Sequence, residues 1–371
     1  MSRSRQGGIV GTVVSLAGLG ALLSWPGGGA AAGDTMLAGE HPFGVMAPAG
    51  PVEQRIALAR ELRVAYYRPS AAFVLSWDSK MPECDAARES GLRLVLTVRN
   101  STGPNVPASP PTDLAAYQTV VSDIIAACRP DLLVVENEEN SAALFYDGTP
   151  EAYHRQLNAA CEVAHDAGIA CTNGGLVSSL VAGLVAERYT EGGEPDRAAA
   201  YLQRTLGDKA RRFSSAKARE QISKGRALLA GYRAAGADFV HFHWYIDDAD
   251  ALREAVAYLT EASGLPAVTN EIGQQKNERP EQVRAMLSTL QELRIPLAVW
   301  FSMDVPGFGG ARALTDRDGR LRPNGEAFKS FVASMHSGVA DQGMPVASPP
   351  SAAEPGVRRG WFRRLLWGLR R

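Results

Sequence analysis

Eight short apolar runs, each followed by a stretch with helical spacing, recur between about residue 40 and 335 of this 371-residue chain. The runs cover 43–47, 64–68, 92–99, 132–138, 169–174, 238–245, 266–271 and 296–303. Several are apolar at consecutive positions, as a parallel strand buried on both faces must be. Between them the period changes. Ile56, Ala59 and Leu62 fall on one helical face, and so do Val283, Met286, Leu290 and Leu293. Gly91, Gly168 and Gly236 stand just before strands, where a helix ends on a left-handed residue. Eight strand-then-helix units predict an α/β fold closed into a (β/α)8 TIM barrel.

One connection is oversized. More than sixty residues separate the fifth and sixth strands, and 197–232 read as charged helix. A loop after a barrel strand belongs to the catalytic face, so this insertion either walls the cleft or decorates it in solvent.

The ends of the chain differ from its middle. Residues 1–32 carry Arg3 and Arg5, then an apolar run from Ile9 to Trp25, then Ala30-Ala31-Ala32. That is the order of a signal peptide, or of an N-terminal anchor if it is retained. Residues 33–336 form the barrel domain. Residues 337–356 are rich in Pro, Ala, Ser and Gly and read as a linker. Residues 357–371 hold six arginines; wound as a helix they set Trp361, Phe362, Leu365, Leu366 and Leu369 against Arg363, Arg364, Arg370 and Arg371. A basic amphipathic tail of this kind suits peripheral contact with an anionic membrane; the alternatives are a frayed end or docking on the acidic body. With the eight terminal arginines set aside, the formal charge of −1 becomes −9 for the body. Such a body is a poor nucleic-acid partner. The expected location is outside the cytoplasm, periplasmic or extracellular. Four cysteines, Cys84, Cys128, Cys161 and Cys171, allow two disulfides in any of three pairings there, or stay as buried thiols.

The mouth of the predicted barrel is where the chemistry stands. The strand ends carry Arg68, Asn100, Asn137 with Glu138, Asn173, His243 with Tyr245, Glu271, and Trp300. A charge beside a buried strand is costly, so two glutamates at two such ends call for a use. Two carboxyls converging on one cleft are the minimum equipment for cutting a glycosidic bond. No metal-ligand spacing, Gly-x-Ser-x-Gly elbow or phosphate-binding glycine loop is present, and no metal or cofactor is expected.

Over about residues 40–335 the set resembles clan A of the glycoside hydrolases, retaining enzymes on a (β/α)8 barrel. Asn137-Glu138 matches the clan's acid/base motif, and Thr269-Asn270-Glu271-Ile272-Gly273 resembles its nucleophile strand. His243-Trp244-Tyr245 resembles a His-x-Tyr on the sixth strand. Arg68 and Trp300 match an arginine on the second and a tryptophan on the eighth. Leu321-Arg322-Pro323-Asn324-Gly325-Glu326-Ala327-Phe328 looks like the entry to the last helix. The resemblance implies hydrolysis of a β-linked poly- or oligosaccharide. Glu138 would be the acid/base and Glu271 the ionised nucleophile, with Arg68 and Tyr245 holding Glu271. Asn137 would bind the sugar 2-hydroxyl and Trp300 would face a sugar ring. His243 would touch substrate or brace a residue that does. A sugar-binding barrel without turnover and a transglycosylase use the same residues and remain alternatives.

The residues also leave structural roles open. Glu136, Glu138 and Glu139 crowd one strand end, where many clan members have proline after the acid/base. By the period of two, Glu136 shares a strand face with Glu138 and could exchange roles with it. Glu139 reads as a solvated helix-entry residue. Glu271 could cap the segment that follows, Arg68 could be a structural ion-pair partner, and His243 and Trp300 could simply pack. Asn100 and Asn173 read as loop formers.

Overall fold

The computed structural model describes residues 37, 40–47, 50–141, 145–274, 278–301 and 310–336. The predicted signal or anchor at 1–32, linker at 337–356 and basic tail at 357–371 lie outside the described residues. Eight parallel strands form the barrel: β1 (Phe43–Met46), β2 (Tyr66–Arg68), β3 (Arg93–Arg99), β4 (Leu132–Val135), β5 (Ala170–Asn173), β6 (Val240–Trp244), β7 (Ala267–Ile272) and β8 (Ala298–Phe301). Seven neighbouring pairs are laddered, β1 pairing with both β2 and β8. The circle closes between β5 and β6 through single parallel bridges, Thr172 to Phe239 and Leu176 to Phe242. A short strand, Ala72–Phe73, adds to the end of β3; it lies in the apolar run 71–75, which is not among the eight expected strands.

The helices follow from local chemistry. α1 (Val52–Glu61) buries Ile56 and Ala59, and α9 (Pro280–Glu292) buries Val283, Met286 and Leu290, the faces the periodicity predicts. α2 (Pro82–Glu89), α4 (Pro150–Asp166) and α9 open on proline, whose missing N–H costs nothing in a first turn. α3 (Leu114–Cys128) opens on Asp113, whose side chain accepts from the amides of Ala115 and Ala116. Gly91, Gly168 and Gly236 have φ of +78°, +72° and +82°. They reverse the chain into strands at no steric cost.

The long connection after β5 is helical: α5 (Ser178–Glu191), α6 (Pro195–Leu206), a 3-10 stretch Gly207–Ser214 and α7 (Ala216–Gly231). α7 packs against α4 and against α8 (Ala249–Ser263), so it takes the barrel helix's place. α5 was not legible as a helix in advance. It is buried nearly all round from Leu180 to Ala186, and so lacks a one-sided apolar stripe. The last helix, α10 (Pro323–His336), begins within the segment expected to lead into it.

Two apolar clusters divide the core. The larger lies between strands and helices; the smaller fills the barrel and includes Leu37, Tyr66, Val95, Val134, Phe239, Val268, Leu297 and Val299. All four cysteines are bridged, Cys84 to Cys128 and Cys161 to Cys171, which decides among the pairings and against free thiols.

Candidate active site

Six of the seven predicted site residues meet at the C-terminal end of the barrel. Arg68, the last residue of β2, donates from Nη1 to Glu271 Oε2 at 2.7 Å and to the Asn270 carbonyl at 3.1 Å. Its Nη2 donates to Asn137 Oδ1 at 3.0 Å. Tyr245 OH donates to the other Glu271 oxygen at 2.7 Å. His243 lies between the carboxyls, Nδ1 3.0 Å from Glu138 Oε1 and Nε2 3.9 Å from Glu271 Oε2. One oxygen of Glu138, one nitrogen of His243 and one oxygen of Glu271 all lie within 4.8 Å of one another. The His243 side chain is fully buried, whereas Glu138 and Glu271 keep 15% and 14% exposure. Of these three side chains, the two carboxyls keep exposed surface and the imidazole does not.

The two carboxyls are driven apart in acidity. Burial raises the pKa of both. At Glu271, the charges of His243 and Arg68 and the hydrogen bonds from Tyr245 and Arg68 outweigh burial and leave it below the ordinary value. At Glu138, burial and the nearby Glu271 prevail over His243 and Arg68, and its pKa is raised. Burial works against protonation of His243, but the two glutamates outweigh it and raise its pKa. One acid is held ionised, and the other sits against an imidazole able to share a proton with it. A cation could in principle be drawn to this Glu-His-Glu group, but the Arg68 guanidinium already occupies the cationic position against Glu271.

Strand β4 ends at Val135, earlier than the apolar run suggested. Glu136 and Glu138 both have left-handed φ, +71° and +47°. That breaks the period of two and separates the glutamates. Glu138 N donates to Gly174 O at 3.1 Å, fixing the turn against β5. Glu136 instead accepts from Asn100 N at 2.7 Å and from Gln156 Nε2, on α4, at 2.6 Å, with no exposure. It does not share a face with Glu138. Glu139 is not solvated either: it is fully buried and accepts from Asn173 Nδ2 at 2.8 Å and from the Tyr232 hydroxyl.

Trp300 does not face a sugar. It is 1% exposed and packs edge-on against Phe328 of α10, 5.8 Å between ring centres. Its strand neighbours Leu297 and Val299 belong to the barrel interior, so Trp300 takes the opposite pleat, toward the helices. Asn100 is a loop former, donating to Ser109 O at 2.7 Å. Asn173 does more, tying Glu139 to the main chain of His241.

Three participants escaped the sequence reading. His241 accepts at Nε2 from Asn270 N at 2.9 Å, and its Nδ1 lies 2.8 Å from Asn173 O. Asn270 sets Oδ1 3.2 Å from His243 Nε2. Ser178, first in α5, accepts from Tyr245 N at 3.0 Å and donates to His243 O at 3.2 Å, so the insertion braces the end of β6. The alternation Val240-His241-Phe242-His243-Trp244 was a usable signal: it puts both histidines on one face of β6.

No protein-family model matches the sequence, and no curated protein matches it. Solved structures do. A GH5_18 enzyme from Bifidobacterium longum subsp. longum, in complex with Manβ1-4GlcNAc, superposes with a TM-score of 0.52 at 15% identity, over 81% of this chain and 80% of its own. The likeness is one of fold. An endo-β-1,4-glucanase from Xanthomonas axonopodis pv. citri gives 0.51 at 9% identity, over 79% and 99%. A GH39 enzyme from the same organism gives 0.50 at 14%, over 78% and 66%. The GH5 and GH39 enzymes are (β/α)8 barrels of clan A, the fold the sequence resemblance implied.

Proposed function

We propose that this protein is a retaining glycoside hydrolase acting on a β-linked poly- or oligosaccharide. The observation that carries the reading is the approach of Glu138 and Glu271 oxygens to within 4.8 Å, with opposite displacements of acidity. Retention needs carboxyls about 5–5.5 Å apart, whereas inversion leaves room for a water at roughly 6.5–9.5 Å.

Glu271 is the nucleophile. One of its oxygens forms a bond to the anomeric carbon while the glycosidic C–O bond breaks. Glu138 gives its proton to the departing oxygen. Water then attacks the glycosyl-enzyme, passes a proton back to Glu138 and releases Glu271. Arg68 and Tyr245 keep Glu271 charged and aimed. Asn137, oriented by Arg68, offers its amide to the sugar 2-hydroxyl. The β-linkage is supported by the fold neighbours, a β-1,4-glucanase and an enzyme holding a β1-4 disaccharide. The two disulfides support an exported protein, since such bonds persist in oxidising compartments. The basic tail at 357–371 would keep it at an anionic membrane.

A mechanism-based 2-fluoro β-glycoside tests the chemistry. Intact mass is expected to rise by one glycosyl unit, and peptide mapping to place it on Glu271. An unlabelled protein that still binds the sugar would instead mark a non-catalytic barrel. A panel of β-linked polysaccharides then identifies the substrate.

A further inference from the structure

We propose that His241 and Asn270 are positioning residues that lock His243 with Nε2 protonated, so that its Nδ1 and the Glu138 carboxyl share one transferable proton. The proposal rests on the reading of Glu138 as acid/base.

The lock begins at His241. Asn173 O can only accept, so the nitrogen 2.8 Å from it, Nδ1, carries a hydrogen. Asn270 N can only donate, so the nitrogen 2.9 Å from it, Nε2, offers a lone pair. Both nitrogens are thus committed and the ring is neutral; an imidazolium would set N–H against N–H. Burial, with the charges of His243 and Arg68, holds its pKa well below the ordinary imidazole value despite the Asn173 and Asn270 hydrogen bonds. The ring packs edge-on to His243, 5.2 Å between centres.

His241 fixes the Asn270 main chain and so aims its side chain. Asn270 Nδ2 lies 3.4 Å from Thr97 Oγ1, across the barrel, which turns Oδ1 toward His243 Nε2 at 3.2 Å. Glu271 Oε2 lies 3.9 Å from the same nitrogen. Both oxygens attract a hydrogen there. What remains is Nδ1, 3.0 Å from Glu138 Oε1. One proton serves that contact, as imidazole with carboxylic acid or as imidazolium with carboxylate. Given to the leaving oxygen, it leaves a neutral imidazole and a carboxylate; the proton from water restores it. The charged and titratable groups facing the pair are Glu271, Arg68, His241, Tyr245 and, from behind, Glu139.

Two measurements test this. In full-length protein with ¹⁵N-labelled histidine, assigned with the His241→Phe variant, long-range proton–nitrogen spectra are recorded from pH 5 to 9. Expected are a His241 protonated on Nδ1 alone at every pH, and a His243 with Nε2 always protonated while Nδ1 titrates. A titrating His241, or a His243 left with its proton on Nδ1 and a bare Nε2 at high pH, overturns the proposal. This spectrum decides even if the protein cleaves no glycoside, and His241→Asn supplies the assignment should His241→Phe not fold. For active protein, the alkaline limb of kcat/KM is expected to move on the order of one pH unit, upward in Asn270→Asp and downward in Asn270→Leu. Equal rate losses with unmoved limbs would make Asn270 merely structural and overturn the proposal.

Discussion

The barrel interior has two halves that are equally buried and made of opposite chemistry. In the lower half, Tyr66, Val95, Phe239 and Val268 fill the space among the strands. Two residues further along the same strands stand Arg68, Thr97, His241 and Asn270, all at 5% exposure or less. Both sets point inward; on β7 the register shifts between Val268 and Glu271, and the consecutive Asn270 and Glu271 both reach the site. The lower half gains by removing apolar area from water. The upper half gains nothing that way; desolvation of its polar groups costs free energy unless each finds a partner. The partners come from one another, through the links of Arg68 to Asn137 and Glu271, and of His241 to Asn270 and Asn270 to His243. The lower half keeps the barrel closed, and the upper half fixes which carboxyl holds a proton.

Substitutions in the two halves should therefore fail in opposite ways. The largest effect belongs to Glu271→Gln and Glu138→Gln. Each is expected to lower hydrolysis of an activated aryl β-glycoside by about a thousandfold or more. The melting temperature should stay the same or rise in Glu138→Gln, whose charged form burial disfavours, and fall in Glu271→Gln, which leaves the buried Arg68 guanidinium without its charge partner. A near-normal rate would remove that residue from its role. Leu297→Ala reverses the pattern. Leu297 is fully buried in the lower half, so truncation should cost roughly 2–5 kcal/mol in urea unfolding. The kcat/KM measured well below the new melting point should change less than about threefold.

Glu136 sharpens the comparison, because it is buried like the site yet lies outside it. Burial raises its pKa to about 7, against hydrogen bonds from Asn100 and Gln156 and the charge of Arg99. The folded protein therefore binds a proton that the unfolded chain releases near pH 4.5. The stabilisation is complete below that value and is lost as pH rises to about 7, by about 3 kcal/mol. The stability of the parent relative to Glu136→Gln should fall by that amount between pH 4.5 and 8. A flat difference would mean that Glu136 ionises freely.

The lower half is legible in the amino-acid sequence and the upper half only in part, for a physical reason. Apolar runs of strand length with glycine stops define a buried parallel strand almost by themselves. Arg68, Glu271 and the pair His243 and Tyr245 were readable because each interrupts or ends such a run. Trp300 was misread because β8 is apolar on both faces, so its sequence does not say which parity points inward. Glu136 and Glu139 were misread because a left-handed turn after Val135 reassigns every side chain beyond it. Three acids and an asparagine encode no φ of +71°. The Asn270 link was hidden for another reason: it joins groups far apart in sequence, and its aim depends on a backbone amide that every residue but proline has.

The smallest effect tests the seam of the polar half. Gly175 follows β5 with φ of +97°, and its α-carbon lies against both histidine rings. A β-carbon there would stand 2.6 Å from His243 Nε2 and 2.8 Å from His241 Cε1. Backbone strain alone predicts a loss of about 1–2 kcal/mol for Gly175→Ala. Gly91→Ala supplies the control, since Gly91 has a similar φ of +78° and nothing within 4 Å of its added methyl. The two variants should lose comparable stability in denaturant, with Gly175→Ala the worse. Only Gly175→Ala should lose activity, about tenfold, because displacing His243 from Glu138 and Asn270 disturbs the proton of the proposed acid/base. If both variants keep the parent rate, His243 tolerates movement and the close fit at Gly175 serves packing alone.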